Sequence, residues 1–110
     1  MVFRFQLSKK KEMDIEAAKA FWSWFADNEV SILDRYKTDG RNLVFEIDRR
    51  LQPVFPYFKG ELEFQLGFNE GRGEFFFFHL GNRHLLRDGE MLGSLMPAGL
   101  RRKWRYILEK

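Results

Sequence analysis

Four consecutive phenylalanines, in the stretch "EFFFFHLG" from Glu74 to Gly81, constrain the fold of this chain more than any other feature. Successive side chains of a strand point to opposite faces of a sheet, so two of these rings must lie on each face. A sheet that buries one face would leave two large rings on the other. The sequence therefore predicts aromatic groups on both faces and raises the question of what covers the second pair.

Length and composition predict a single domain over residues 1–110. Hydrophobic residues make up 45% of the chain and aromatic residues 17%, which is ample for one core. Because there is no cysteine, disulfides and thiol chemistry are excluded. No apolar run has the length of a membrane span or a signal peptide. We therefore expect a cytoplasmic protein without membrane contact.

The first half of the chain predicts a strand, a long helix and a second strand. Residues 2–7 alternate in polarity, as a half-buried strand requires. Asp14 is suited to be the N-cap of a helix that runs to about Lys37, with Asp39-Gly40 as its stop. Residues 42–48, "NLVFEID", alternate again and predict another strand.

The second half predicts a β-hairpin and a terminal helix. The two prolines within residues 49–60 indicate a connection, and residues 61–68 alternate as a strand. Residues 69–73 form the hairpin loop into the phenylalanine strand. A final helix begins near Pro97 and places on one face the apolar residues Leu100, Trp104, Ile107 and Leu108. Residues 82–96 fit either a hairpin about Asp88-Gly89 or a broken helical turn.

These elements predict an α+β fold. Its antiparallel sheet has about four strands, and a long N-terminal helix and a C-terminal helix pack on one face of it. The hairpin register then decides which rings lie on the open face. If Phe68 pairs with Glu74, this face carries Phe75 and Phe77; if Phe68 pairs with Gly73, it carries Phe76 and Phe78. The first register is favoured because it also places Leu80 in the core.

Three interpretations of the open face compete. The chain covers its own rings, or the face binds a second copy or another protein, or it forms an aromatic pocket for a small ligand. We expect a non-enzymatic interaction module with a homodimer as the first partner, and a small-ligand-binding protein as the alternative. The candidate binding residues are Phe75, Phe77, His79, Glu46 and Glu63.

Enzymatic, metal and nucleic-acid functions find little support in the motifs. A catalytic site would use His79 as a base beside Glu46 or Glu63, which requires an unproved register. His79 and His84 do not have zinc-site spacing, so we expect neither a metal nor another cofactor. "RGEFFFFH" only partly matches the RNA-binding signature of the RRM, and the neighbouring acidic residues would repel phosphates. We therefore expect no nucleic-acid partner.

Three segments carry a resemblance to a group of proteins. They are "FWSWFADNE" (residues 21–29), "LVFEI" (residues 43–47) and "LMPAGLRRKW" (residues 95–104). The chain resembles small bacterial α+β proteins and domains of unknown function that open with a Phe-Trp-x-Trp-Phe helix. The resemblance implies a bacterial, intracellular domain. Its motifs concern packing, so it implies no site residue.

Overall fold

The structure, a computed structural model, describes residues 12–110. It is an α+β fold in which the helices are α1 (Ile15–Asp27), α2 (Glu29–Thr38), α3 (Gly40–Leu51), α4 (Arg83–Ser94) and α5 (Ala98–Arg101), with a 3-10 turn at Gln52–Val54. The strands are β1 (Glu63–Asn69), β2 (Arg72–Phe78) and β3 (Trp104–Glu109). The predicted strand at residues 2–7 lies outside the described residues.

The predicted long N-terminal helix is two helices, α1 and α2. Its start is correct, because the Asp14 side chain accepts a hydrogen bond from the backbone N–H of Ala17 (3.0 Å). The break is at Asn28, whose side-chain amide donates to the carbonyl of Trp24 (2.8 Å). Glu29, the first residue of α2, is charged and buried. The Glu29 carboxylate accepts a hydrogen bond from the Trp104 indole (3.4 Å).

The predicted strand at residues 42–48 is wrong, since these residues lie within helix α3. The buried residues of α3 are Leu43, Ile47 and Leu51, a spacing of four that fits one helical face. Leu43, Phe45 and Ile47 also alternate, so the short apolar run fits both periods. Phe45 is 63% exposed, which shows that the alternation had no structural role.

The predicted hairpin is present, but its favoured register is wrong. Strands β1 and β2 are antiparallel, and Phe68 pairs with Gly73 rather than with Glu74. The connection is the two-residue turn Glu70-Gly71, in which both residues have positive φ (54° and 77°), rather than a loop over residues 69–73. This short turn determines the register.

Residues 82–96, for which the sequence left two alternatives, contain the regular helix α4. Asn82 is its N-cap and accepts hydrogen bonds from the backbone N–H groups of His84 and Leu85 (2.8 and 3.1 Å). Gly89, which suggested a turn, and Gly93 instead allow α4 to lie close to the sheet. A Cβ at Gly89 would come within 2.8 Å of Leu108, and one at Gly93 would overlap the Tyr106 ring.

The predicted C-terminal helix is wrong beyond its first turn. In the segment after Pro97, only the four residues of α5 are helical. Residues 104–109 form β3, which pairs in parallel with β2. Helix α4 is the crossover between these two strands, as a parallel pair requires. Within residues 12–110 the sheet therefore has three strands in the order β1-β2-β3, and it is mixed rather than antiparallel. None of the helices between residues 12 and 110 has the length and apolar character needed to cross a membrane.

Helices α1 and α4 contact the same face of the sheet, which we call the inner face. Phe75 is at the centre of this layer, with its ring 6.0 Å from Phe21, 5.7 Å from Trp22 and 5.9 Å from Phe25. The Trp22 indole donates a hydrogen bond to the carbonyl of Leu92 (2.7 Å), which joins α1 to α4. The inner face is therefore covered by α1, which belongs to the predicted N-terminal helix, and by α4, which takes the place expected for the C-terminal helix.

Candidate interaction surface

The two predicted ring residues, Phe75 and Phe77, lie in the core and have no exposed surface. Phe77 stacks on Phe55, which precedes Pro56 in the connection, with ring centroids 5.2 Å apart. The expectation that Phe75 and Phe77 lie on the open face is therefore wrong, because the Phe68–Gly73 register turns them inward. A binding surface built on these two rings does not exist in this fold.

His79 lies in the turn between β2 and α4. The imidazole Nδ1 of His79 accepts a hydrogen bond from the backbone N–H of Gly81 (3.1 Å). The backbone N–H of His79 donates to the carbonyl of Glu109 (3.0 Å). Leu80, expected in the core, is instead 47% exposed and has a positive φ (58°) in this turn. These contacts give His79 a local structural role, since its imidazole holds the turn that leads into α4.

The two predicted carboxylates, Glu46 and Glu63, lie on different elements. Within residues 12–110, neither forms a hydrogen bond or an ion pair with His79. Glu46 is on α3, where it accepts hydrogen bonds from Arg35 (2.7 Å) and Arg50 (3.1 Å). The hydrogen bond from Arg35 lowers the pKa of Glu46, with a further contribution from Arg50. Glu63 begins β1 and is exposed. The predicted acid-base arrangement is not assembled.

The face of the sheet opposite the inner face, which we call the outer face, holds the other two phenylalanines. Cross-strand pairing places on it Glu63, Gln65, Glu74, Phe76, Phe78, Arg105, Ile107 and Glu109. Phe76, Phe78 and Ile107 are half-buried. Among residues 12–110, they belong neither to the core nor to the apolar side chains packed against it. The outer face thus carries a continuous apolar group at its centre.

Charged residues surround this apolar group. Phe78 lies between Glu63 and Glu109, the residues paired with it on β1 and β3. Arg105 pairs with Glu74 further along the sheet, with 3.7 Å between its Nη1 and a carboxylate oxygen. The outer face therefore has two carboxylates at one end and a guanidinium nearer the other.

A second polar arrangement lies on the helical side, around Asp88 of α4. Asp88 is 5% exposed and accepts hydrogen bonds from the Tyr57 hydroxyl (2.6 Å) and from Arg87 (2.8 and 2.9 Å). Burial by itself would raise the pKa of Asp88, but the hydrogen bonds from Arg87 and Tyr57 outweigh it, so the pKa is lowered. Burial, together with the bond to Asp88, raises the pKa of Tyr57. The network joins the proline-containing connection to α4.

A cleft of about 600 Å³ opens beside this network, between the start of α1 and α4. It is lined by Glu12, Met13, Ile15, His84, Arg87, Asp88 and Met91. Its volume is within the range of small-molecule sites, which is about 300–1,000 Å³. Sequence reasoning missed the cleft because its two sides, residues 12–15 and residues 84–91, lie far apart in the chain and neither segment carries a recognisable site motif.

The positions of Phe76 and Phe78 were accessible from one signal in the sequence. Gly71 follows Glu70 in a short polar segment, and a glycine at the second position of a two-residue turn is typical of hairpins. A turn at these two residues pairs Phe68 with Gly73 and turns Phe76 and Phe78 outward. The loop length, rather than the core position of Leu80, was the better guide to the register.

Comparisons with known proteins add no family to this description. No family model matches the chain, and neither the curated proteins nor the solved structures contain a match. Within residues 12–110, no group of three or more histidine or acidic side chains is placed to hold a metal ion. The geometry of the chain itself therefore carries the functional argument.

Proposed function

We propose that this chain is a non-enzymatic interaction module that forms a homodimer through the outer face. The observation that supports it is the apolar group of Phe76, Phe78 and Ile107, which lies at the centre of a sheet face and outside the core. Single exposed apolar side chains are ordinary on protein surfaces, but a continuous group bordered by charged residues is typical of interaction sites. The proposed binding residues are therefore Phe76, Phe78 and Ile107, and no longer Phe75 and Phe77.

A second copy matches this face in shape and size, but the area that the two copies would bury is small. With strands about 4.8 Å apart and about 3.4 Å per residue, two strands of seven residues and one of six cover at most roughly 14 by 24 Å. Stacking two such faces buries roughly 700 Å² in total, which is below the ~1,200 Å² of a stable interface. We therefore expect a weak, reversible dimer with a Kd of about 10 µM to 1 mM.

The test is the mass in solution by light scattering up to about 1 mM protein, for the natural chain and for Phe76→Thr. Threonine keeps the strand preference of the position and removes the ring. The matched control is Phe68→Thr, because Phe68 lies on the inner side of β1 and is 52% exposed. We expect the natural chain and the control to gain mass with concentration, and Phe76→Thr to remain a monomer. A natural chain that stays monomeric at 1 mM overturns the proposal.

The cleft beside Asp88 favours a second candidate function, the binding of a small amphipathic molecule. Apolar side chains of Met13, Ile15 and Met91 and the polar network around Asp88 line the same space. This location differs from the aromatic face that the sequence suggested. The probe is the dye 8-anilinonaphthalene-1-sulfonate, followed by fluorescence. Met91→Gln should lower its binding and Leu86→Gln, an exposed control on the same helix, should not. Equal binding by both variants argues against the cleft.

A further inference from the structure

The outer face has a direction, because its charges are unevenly placed along the strands. Glu63 and Glu109 border Phe78 at one end. Arg105 lies beyond the ring of Phe76, next to Glu74. The Glu74 side chain is 13% exposed, whereas that of Arg105 is 43% exposed. The more accessible charges are therefore negative at the Phe78 end and positive on the other side of Phe76.

Two copies that meet through the same face are related by a two-fold axis lying in the plane between the sheets. If this axis runs along the strands, each end of one face lies over the same end of its partner. Glu63 then faces the Glu109 of the other copy, which brings four carboxylates together around two Phe78 rings. If the axis runs across the strands through Phe76, the acidic end lies over the end that carries Arg105.

We infer that the two copies stack with their strands antiparallel, Phe76 against Phe76, and with Glu109 of each copy opposite Arg105 of the other. This inference rests on the proposed function. Charge complementarity selects the arrangement, because like charges facing each other cost free energy and opposite charges set the register of an interface. The apolar group is compatible with both arrangements, so the charges decide between them.

Reversing the charge at Glu109 separates the two arrangements. In the antiparallel dimer, Glu109→Arg places the new arginine of each copy opposite Arg105 of the other. Two repulsive pairs replace two attractive ones, and we expect an approximately tenfold weaker dimer. In the parallel dimer, the new arginine would face Glu63 and strengthen association. The matched control is Glu90→Arg, an exposed residue of α4 with the same change of net charge. Light scattering over a concentration series measures all three proteins.

A mixture of two charge-reversed chains tests whether association recovers when the pair between residues 105 and 109 is restored. Glu109→Arg and Arg105→Glu should each associate less than the natural chain, for opposite electrostatic reasons. Mixed in equal amounts, they form a heterodimer with two restored pairs, so the average mass should exceed that of either alone. Circular dichroism checks that both variants remain folded.

The outcomes distinguish the orientation from the dimer itself. If Phe76→Thr does not reduce association, the outer face is not the interface and both proposals fail. If Phe76→Thr abolishes the dimer but Glu109→Arg strengthens it, or acts no differently from Glu90→Arg, the dimer stands and the antiparallel arrangement is overturned. Weakening by Glu109→Arg and recovery in the mixture support both.

Discussion

The two faces of strand β2 use the same side chain in opposite ways. Phe75 and Phe77 point inward, contact rings from α1 and the connection, and have no exposed surface. Phe76 and Phe78, their immediate neighbours, point outward and remain half-buried beside charged residues. The difference teaches that the role of each ring here depends on strand register and on which face the helices cover, rather than on residue type.

The inner face is also much more closely fitted than the outer face. Gly73 is buried because the Trp104 ring lies over it, and a Cβ there would come within 2.5 Å of that ring. The Tyr106 hydroxyl donates to the carbonyl of Gly89 (2.7 Å), and burial raises the pKa of this phenol. Changes on the inner face should therefore alter folding, whereas changes on the outer face should alter association.

The largest expected effect is that of Phe75→Ala. Removing this fully buried ring leaves a cavity among aromatic side chains and should lower the free energy of unfolding by about 3–5 kcal/mol. Phe76→Ala should lower it by about 1 kcal/mol or less, since this ring lies outside the core. Urea denaturation measures both. Equal losses in the two variants would remove the distinction between the faces.

Gly93→Ala should have the next largest effect. The added methyl group would overlap the Tyr106 ring, and such overpacking costs about 1–3 kcal/mol unless the helix moves. Gly99→Ala is the control, because a Cβ at Gly99 meets no atom within 4 Å. A thermal melt of each variant measures the change. A Gly93→Ala protein as stable as the control would show that α4 does not depend on this close approach.

Asp88→Asn should lower stability near pH 7 by about 1–2 kcal/mol, because it weakens the hydrogen bonds from Arg87 and Tyr57. The pKa of Asp88 is lowered in the folded protein, so its contribution is fully present above the unfolded-state pKa of ~3.9. It is lost as the pH falls through the folded-state pKa. The difference between natural chain and variant should therefore shrink below about pH 4. A constant difference between pH 7 and pH 2.5 contradicts this assignment.

The smallest expected effect is that of Arg105→Gln on the stability of the monomer. Its ion pair with Glu74 lies on the solvent-facing side of the sheet, and exposed pairs contribute about 0–1 kcal/mol. Urea denaturation of a dilute sample should show a loss below about 0.5 kcal/mol that disappears at high salt. A loss comparable to that of Gly93→Ala would mean that the outer face contributes to folding after all.

The sequence was sufficient where a local signal and the tertiary structure agreed. The N-cap at Asp14 and the alternation of residues 61–68 both describe elements close to those in the structure. For the candidate surface, the prediction of aromatic groups on both faces of a sheet is also correct. It required only the alternation of side chains along a strand.

Two of the errors share a physical cause, which is that short apolar segments fit both the helical and the strand period. Residues 42–48 fit a strand and a helix, and Leu43 and Ile47 satisfy both patterns. Residues 104–109 do the same at the other end of the chain. The tertiary structure selects the helix where α3 buries one side and the strand where β2 offers a free edge for parallel pairing.

The sequence by itself determined an α+β fold rich in aromatic residues, with rings that must occupy both faces of one strand. The local two-residue turn sets the register, and only the tertiary structure decided which of the two resulting faces is covered by α1 and α4. The tertiary structure also decided the role of the glycines in α4. In the sequence a glycine indicates a helix break, whereas in the fold the missing side chain at Gly93 leaves space for the Tyr106 ring. Contacts between distant segments determine both outcomes.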